Sequence, residues 1–336
     1  MKRRISLLLV MVLLLSLFAA GCSKPQEQAP ASEQTASEQP TAPAEKTFVT
    51  ILTGGSSGPY FAIGGAMSNL LNEKVPGVNS SVESTGASVV NATKVGEGKG
   101  ELALAMNDVI SYAYTGIEVF KDQGKIENLR GVASLYPNFV QVFTLADKGI
   151  NSIADLKGKR VGVGAPGSGT EVNARQILAA YGLTYDDVQE DFLSYAESVE
   201  QMKNGAVDAA FITSGLPNAT IMDLATTHNV KMIPIDKDAV DKLAAEYPFY
   251  SLETIPGGTY DDKEDVETAA VTTILLTRED LSEDLVYNMT KAIFENLDVL
   301  KQTHSAANDI DLDKVRVGMP IPLHPGADKY FKELGK

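Results

Sequence analysis

The sequence RVGVGAPGSGTEVNARQIL, from Arg160 to Leu178, has the order of a short strand, a glycine-rich turn and a helix. Arg160–Val163 is apolar enough for a strand, and Gly164–Gly169 contains glycine and proline where a helix cannot run. Ser168 or Thr170 then supplies an N-cap for the helix. A helix start leaves backbone N–H groups unpaired and adds the positive end of the helix dipole. The stretch therefore predicts an anion-binding site.

Two nucleotide-binding interpretations compete with a simple anion site. GVGAPG, from Gly162 to Gly167, fits the spacing of a dinucleotide fingerprint, but Asp186-Asp187 precedes the next expected strand instead of ending it. Gly164 to Gly169 could begin a Walker A loop, but Thr170 stands where that loop needs its lysine. We therefore favour a carboxylate or similar small anion held by Ser168, Thr170 and the local N–H groups.

The same order of strand, turn and helix recurs along the chain. Alternation of this kind predicts a mostly parallel sheet with right-handed crossovers, flanked by helices, and its turns lie at the carboxyl edge where ligands bind. Four further turns rich in small polar residues are Gly54–Tyr60, Ser84–Asn91, Asn107-Asp108 and Ser214–Asn218. We predict an α/β protein of two lobes, with a ligand cleft between them.

The lobe boundaries follow from the order of the elements. Lobe 1 is predicted to comprise residues 47–139 and 271–336, and lobe 2 residues 140–270. Three further expectations concern single elements: two strands, Leu129–Tyr136 and Val140–Leu145, split by Pro137-Asn138; a loop over Tyr250–Asp262; and one long helix over Glu283–Thr303.

The N-terminus has the features of an export signal. Residues 1–21 combine a basic start with an apolar core, and Ala19-Ala20-Gly21-Cys22 is similar to the lipobox of bacterial lipoproteins, in which the cysteine is acylated. Residues 22–46 contain no large apolar side chain, which predicts a disordered tether. We predict an extracytoplasmic protein that a lipid at Cys22 anchors to the cell membrane, on its periplasmic or outer face. No other membrane contact is expected.

Charge and composition exclude several functions. The formal net charge of -15 argues against nucleic-acid binding by a basic surface, so an anion has to be held by local dipoles. His228, His304 and His324 lie far apart, which gives no support to a metal site or a catalytic triad. No acid–base pair stands among the cleft turns, and we expect neither an enzyme nor a cofactor.

Four motifs make the chain resemble the TAXI family, the extracytoplasmic solute receptors of TRAP transporters. They are Thr53–Tyr60, Ser84–Asn91, Gly167–Glu171 and His324–Ala327, in that order. The resemblance implies a two-lobed periplasmic-binding-protein fold of the second type in a monomer. It also implies delivery of an organic anion, with glutamate or a related C4–C5 dicarboxylate favoured, to a permease driven by an ion gradient.

The resemblance also implies a set of ligand-binding residues. Many receptors of the wider TRAP group hold a carboxylate with an arginine, and Arg175 is the nearest candidate here, although it lies over a turn into its helix. Two alternatives stay open: a binding protein that serves a sensory system, and an exported enzyme that acts on a small anion. The implied ligand-binding residues are Tyr60, Ser88, Asn91, Asn107, Asp108, Ser168, Gly169, Thr170, Pro217 and Asn218.

Overall fold

The computed structural model describes residues 46–260 and 263–336. The predicted signal segment, Cys22 and the tether up to residue 45 lie outside the described residues. The strands are β1 (Thr47–Leu52), β2 (Val78–Glu83), β3 (Leu102–Met106), β4 (Leu129–Leu145), β5 (Arg160–Gly162), β6 (Gln189–Asp191), β7 (Ala209–Ser214), β8 (Val230–Ile233), β9 (Ser251–Ile255) and β10 (Val266–Arg278). The α-helices are α1 (Pro59–Lys74), α2 (Ser88–Gly96), α3 (Asn107–Thr115), α4 (Gly169–Ala180), α5 (Tyr195–Lys203), α6 (Ala219–Ala225), α7 (Lys237–Glu246), α8 (Glu283–Phe294), α9 (Leu297–Thr303) and α10 (Pro325–Glu333).

The strands form one ten-stranded sheet with two parallel parts. Its order is β2-β1-β3-β10-β4-β7-β5-β6, with β8 added on β4 and β9 on β10. β1 pairs in parallel with β2 and β3, and β5 pairs in parallel with β6 and β7. Each parallel part is built from strand–turn–helix units, as the sequence predicts, so the turns of each part lie at one edge of its strands.

β4 and β10 connect the two lobes. They run antiparallel from the pair Arg278–Leu129 to the pair Ala270–Phe139. Beyond that point β4 continues onto β7, and β10 continues onto β9. The predicted lobe boundaries, after residues 139 and 270, fall inside these two strands, and their exact positions stay a prediction.

Three expectations about single elements are wrong. Pro137 does not split a strand, because β4 runs through it and pairs it with Thr272 beside a register shift, where a missing N–H is tolerated. The segment expected as a loop after Tyr250 contains β9, which pairs with β10. The long helix expected over Glu283–Thr303 is interrupted at residues 295–296 between α8 and α9.

Helices cover both faces of the sheet, and β3 shows why. Leu102 and Leu104 pack into one apolar cluster with α1, α8 and α10, whereas Ala103 and Ala105 pack into another with α2, α3 and α4. Successive side chains of a strand point to opposite faces, so a strand buried on both faces is apolar throughout. Within the described residues, no helix is long and apolar enough to cross a bilayer.

Candidate functional site

A small enclosed pocket lies between the two lobes, at the turns that follow the parallel strands. Its volume is about 90 Å³. Lobe 1 contributes the turns after β1 and β2, and lobe 2 contributes the turns after β5, β6 and β7. The lining residues are Gly54, Gly55, Ser57, Gly58, Pro59, Tyr60, Thr85, Gly86, Ala87, Met106, Ala165, Ser168, Gly169, Thr170, Ser194, Tyr195, Thr213 and Ser214. We call this space the interlobe pocket.

Four helices begin at the wall of the interlobe pocket: α1 and α2 from lobe 1, and α4 and α5 from lobe 2. The first N–H groups of each helix have no acceptor within that helix, and each start carries the positive end of a helix dipole. Ser168 caps α4 by accepting the Glu171 N–H (3.1 Å), and Ser194 caps α5, whereas α1 and α2 have no side-chain cap. The Val89 and Val90 N–H groups at the start of α2 already donate to the Gly167 carbonyl, so the starts of α1, α4 and α5 remain at the pocket. Helix starts of this kind form an anion-binding environment.

The lining contains no charged side chain. Arg175, the nearest cationic candidate, is not among the lining residues and pairs with Glu118 (3.5 Å) and Glu171 (3.4 Å). A bound anion therefore has backbone N–H groups and neutral hydroxyls as its partners. This is the arrangement expected of an acidic protein that cannot attract an anion by its net charge.

A ring of hydrogen bonds fixes the lobe 2 wall. The Tyr195 hydroxyl donates to the Thr213 carbonyl (2.7 Å) and lies 3.0 Å from Thr170 Oγ1, which also accepts the Thr213 N–H (3.3 Å). Burial raises the pKa of Tyr195 to about 12, so its hydroxyl keeps its proton. The Thr213 Oγ1 is buried and has no hydrogen-bond partner among the described residues.

The lobe 1 wall contains a strained residue and a fixed tyrosine. Ala87 has φ 74° and ψ -141°, a conformation that residues other than glycine rarely adopt. Tyr60 is buried, and its hydroxyl accepts a hydrogen bond from Asn138 Nδ2 (2.9 Å). Burial raises the pKa of Tyr60 well above its ordinary value, so its hydroxyl keeps its proton.

The two lobes touch each other around the pocket. The Val89 and Val90 N–H groups of lobe 1 donate to the Gly167 carbonyl of lobe 2 (3.1 and 3.3 Å). A Cβ atom on Gly169 would lie 2.4 Å from the Met106 sulfur and 3.0 Å from Ser88 Oγ, so a larger residue there would require lobe 1 side chains to move. The lobes are therefore closed on the pocket.

The model of the NMT1-like family matches residues 51–335. The chain belongs to the NMT1-like family. Among solved structures, it is similar to PhnD1 of Prochlorococcus marinus (MIT 9301) in complex with methylphosphonate, with 12% identity, a TM-score of 0.55, and coverage of 86% of this chain and 98% of that one. A protein of Bordetella bronchiseptica RB50 is 15% identical, with a TM-score of 0.50, and the match covers 87% of this chain and 99% of that one. The periplasmic aliphatic sulphonate binding protein SsuA of Escherichia coli is 16% identical, with a TM-score of 0.44, and the match covers 85% of this chain and 78% of that one.

These likenesses give this NMT1-like protein the fold of the type II periplasmic binding proteins. The predicted fold class is confirmed. The family and the fold agree with an extracytoplasmic protein that binds a small molecule.

Four of the predicted ligand-binding residues line the pocket of this NMT1-like protein: Tyr60, Ser168, Gly169 and Thr170. They come from the two strand–turn–helix units whose sequence spacing is clearest. The six others do not line it, and their contact with a ligand stays a prediction. The side chains of most of these residues make hydrogen bonds that hold neighbouring segments of the pocket wall in place.

Ser88 and Asn91 lie behind the lobe 1 wall. Ser88 Oγ accepts the Met106 N–H (3.2 Å). Asn91 Nδ2 donates to the carbonyls of Thr53 (2.7 Å) and Leu104 (2.8 Å), which ties α2 to the ends of β1 and β3.

Asn107 bonds to other segments of lobe 1, and Asp108 bonds to lobe 2; neither lines the pocket. Asn107 Nδ2 donates to the Gly318 carbonyl (3.2 Å), and its Oδ1 accepts the Thr272 N–H (3.0 Å). Asp108 is fully buried, and its Oδ2 accepts a hydrogen bond from Asn173 Nδ2 of lobe 2 (2.8 Å).

Pro217 and Asn218 stand just outside the lobe 2 wall. Pro217 follows a cis peptide bond. Asn218 caps α6 by accepting the Thr220 N–H (2.9 Å), and its Nδ2 donates to the pocket residue Ser214 (3.1 Å).

Sequence reasoning missed Tyr195, Thr213 and Ala87. The capping box formed by Ser194 and Glu197 is visible in the sequence and marks the start of α5, and therefore Tyr195. The positive φ of Ala87 has no sequence signature. Among the described residues, no group of His, Cys, Asp and Glu could hold a metal ion.

Proposed function

We propose that this protein is an extracytoplasmic solute receptor that captures a small organic anion between its lobes. Glutamate or a related C4–C5 dicarboxylate is the favoured ligand. The supporting observation is the interlobe pocket, where α1, α4 and α5 begin at a lining without charged side chains. Tyr60, Ser168, Gly169 and Thr170 are the proposed direct contacts, together with Tyr195 and Thr213.

Hydrogen bonds can supply the affinity without any cationic side chain. A hydrogen bond to a charged group contributes roughly 1.5–3 kcal/mol. Two or three such bonds, together with burial of the ligand's apolar stem against Met106 and Ala87, approach the roughly -8 kcal/mol of a micromolar site. The anion docks on the N–H groups of one lobe, and closure of the other completes its shell.

Closure needs a hinge, and the two crossing strands provide a place for it. β4 and β10 are the strands that pass from one parallel part of the sheet to the other. A few residues of each, near the predicted boundaries after 139 and 270, would absorb the rotation.

The partner is proposed to be a TRAP permease that uses an ion gradient. The resemblance to the TAXI motifs supports this partner, and the lipobox at Cys22 supports a receptor held near the membrane. A binding protein that feeds a sensor would have the same pocket. Genes beside this one separate the two, because a permease gene indicates transport and a kinase or chemoreceptor gene indicates sensing.

The enzyme hypothesis finds no support in the pocket lining. That lining has no carboxylate, histidine or lysine to transfer a proton. A phosphonate or sulfonate is a chemical alternative to a carboxylate, because the similar PhnD1 structure contains methylphosphonate and helix N-termini bind anions of several shapes.

A thermal-shift screen of the chain from Ala44 to Lys336 tests the proposal. The panel is L-glutamate, glutamine, 2-oxoglutarate, succinate, malate, pyruvate, sulfate, methylphosphonate and NAD. A ligand at a hundred times its dissociation constant stabilises the protein by about 2.7 kcal/mol, which gives a clear shift.

Succinamide, the neutral analogue of succinate, serves as the matched control. A shift with one C4–C5 dicarboxylate and none with succinamide supports the proposal. A shift with methylphosphonate alone corrects the ligand class, and a shift with NAD alone contradicts the receptor hypothesis.

A further inference from the structure

Asp108 is a buried carboxyl group that joins the two lobes outside the interlobe pocket. It is the second residue of α3, in lobe 1, and none of its surface is exposed. Its Oδ2 accepts a hydrogen bond from Asn173 Nδ2 on α4 of lobe 2 (2.8 Å). The same Nδ2 also donates to the Tyr250 hydroxyl (2.7 Å), and that hydroxyl donates to Gln176 Oε1 (2.7 Å).

Two acceptor atoms of this pair lack a donor. Asp108 Oδ1 and Asn173 Oδ1 are both buried, and neither has a hydrogen-bond partner among the described residues. Unpaired buried polar atoms are rare in native structures and call for an explanation. One proton on Asp108 Oδ1 would remove both deficits, because the carboxylic acid would donate to Asn173 Oδ1 while Asn173 Nδ2 donates to Asp108 Oδ2.

The surroundings of Asp108 contain no positive side chain. The titratable groups that face it are Tyr112 on its own helix, Tyr60 on α1 and Tyr250 before β9, and burial raises the pKa of each so that all three are neutral. The N-terminus of α3 favours the ionised carboxylate. Burial is the largest effect and raises the pKa of Asp108 from 3.8 to about 6, against the lowering by hydrogen bonds from the Val109 N–H, the Asn173 amide and the Asp108 N–H.

We infer that Asp108 is a proton-binding site in the lobe interface, protonated and doubly hydrogen-bonded to Asn173 when the lobes are closed, and ionised when opening exposes it to water. The proton comes from the solvent and returns to it. The link to ligand binding rests on the proposed function, in which the ligand closes the lobes.

The linkage has a definite sign. The closed form binds more protons than the open or unfolded form between about pH 4 and pH 6, so it is favoured at low pH and loses this advantage as pH rises. The two-unit difference in pKa corresponds to a change of about a hundredfold in the closing or folding equilibrium, complete above about pH 7.

The test compares the wild type with Asp108→Asn and Asp122→Asn, without any ligand. Asparagine has the shape of the protonated acid and can pair its amide with Asn173, whereas Asp122 is exposed and controls for the loss of one carboxylate. We expect the unfolding temperature of Asp108→Asn to match the wild type near pH 4 and to exceed it increasingly up to pH 7. Asp122→Asn should follow the wild type in parallel at every pH.

Infrared difference spectra of the wild type against Asp108→Asn give a second measurement that does not depend on unfolding. We expect the wild type to show a carboxylic acid carbonyl band at pH 5 that is lost by pH 8 and that Asp108→Asn lacks. If Asp108→Asn is no more stable than Asp122→Asn at pH 8, or if that band is absent from the wild type, the proton site is excluded.

Binding measurements with a ligand distinguish a failure of this inference from a failure of the proposed function. With L-glutamate as probe, the affinity of the wild type should fall up to a hundredfold between pH 4 and pH 8 relative to that of Asp108→Asn, which experiences the same titration of the ligand. No binding of any panel compound to either chain contradicts the proposed function alone. Binding to both chains with identical pH dependence contradicts the proton site alone.

Discussion

At the scale of single residues, Ala87 holds a conformation that costs the fold about 1–3 kcal/mol, because its φ of 74° is unfavourable for any residue with a Cβ. The Ala87 N–H donates to Thr85 Oγ1 (2.9 Å), which helps to hold the turn. Ala87→Gly should raise the free energy of unfolding by about 1 kcal/mol, since relief of strain exceeds the extra entropy of glycine in the unfolded chain. Urea unfolding measures this change.

The control for Ala87→Gly lies in α2, the helix that follows Ala87. Ala92 is buried in the interior of α2, so Ala92→Gly should destabilise the protein by about 1 kcal/mol or more. An equal decrease in the free energy of unfolding of the two variants would contradict the strain inferred at Ala87.

Thr213 gives a second prediction at this scale, because its buried hydroxyl has no partner among the described residues. Thr213→Val should raise the free energy of unfolding of the free protein by about 1 kcal/mol, since an unsatisfied polar group leaves the interior. The same change should weaken the best panel ligand by about tenfold, the effect of one hydrogen bond of about 1.4 kcal/mol. Denaturant unfolding and calorimetric titration measure the two effects.

Thr290→Val is the matched control for Thr213→Val. The Thr290 hydroxyl is buried in α8 and donates to the Val286 carbonyl (2.7 Å), far from the pocket. It should lower stability by up to about 1 kcal/mol and leave ligand affinity unchanged. Equal losses of affinity in both variants would show that Thr213 has no direct role.

Residue positions could be predicted where a turn stands alone and not where two lobes meet. Ser168 and Thr170 were predicted at the pocket because both stand at the start of a helix after a glycine turn, where Ser168 is the N-cap. Asn91 has the same sequence context as a ligand donor, yet its amide serves the carbonyls of β1 and β3. Which carbonyls lie within reach is decided by packing between distant segments, and a single sequence does not contain that information.

At the scale of elements, the approach of α4 to lobe 1 depends on Gly169. A Cβ there would lie 2.4 Å from the Met106 sulfur and 3.0 Å from Ser88 Oγ. Gly169→Ala should therefore hold the lobes apart, lower ligand affinity by at least about tenfold, and abolish the decrease in radius of gyration that ligand produces in small-angle scattering.

Gly65 provides the control for Gly169→Ala. It lies in α1, and a Cβ atom added there would meet open space, so Gly65→Ala should stabilise the protein by about 1 kcal/mol through helix propensity and leave closure intact. Scattering profiles of Gly169→Ala that still contract with ligand would contradict the role given to this glycine.

Elements with a clear local pattern were predicted well, and those decided by neighbours were not. The strand–turn–helix units appear almost as the sequence indicates. Proline usually ends central strands, so the sequence predicts a break at Pro137, but the register shift of β10 beside it makes room for the missing N–H. β9 is a strand because β10 offers it a partner, and its own exposed residues give little indication of this.

At the scale of the whole molecule, an acidic protein binds an anion by a mechanism that salt should hardly weaken. The net charge of -15 repels an approaching anion, whereas the helix N-termini act over short distances inside an enclosed pocket. Added salt screens the long-range repulsion and leaves the enclosed contacts largely unscreened. The two effects predict opposite salt responses for a dipole site and for a site built on an ion pair.

We therefore expect the dissociation constant of the best dicarboxylate to stay constant or to fall, by less than about threefold, when NaCl is raised from about 20 to about 200 mM. Calorimetric titration at constant pH measures it, and KCl in place of NaCl controls for a specific effect of sodium. A dissociation constant that rises tenfold over this range would mean that a cationic side chain reaches the ligand. Arg175 would be the first candidate, released from Glu118 and Glu171, and Arg175→Gln would then remove the salt dependence.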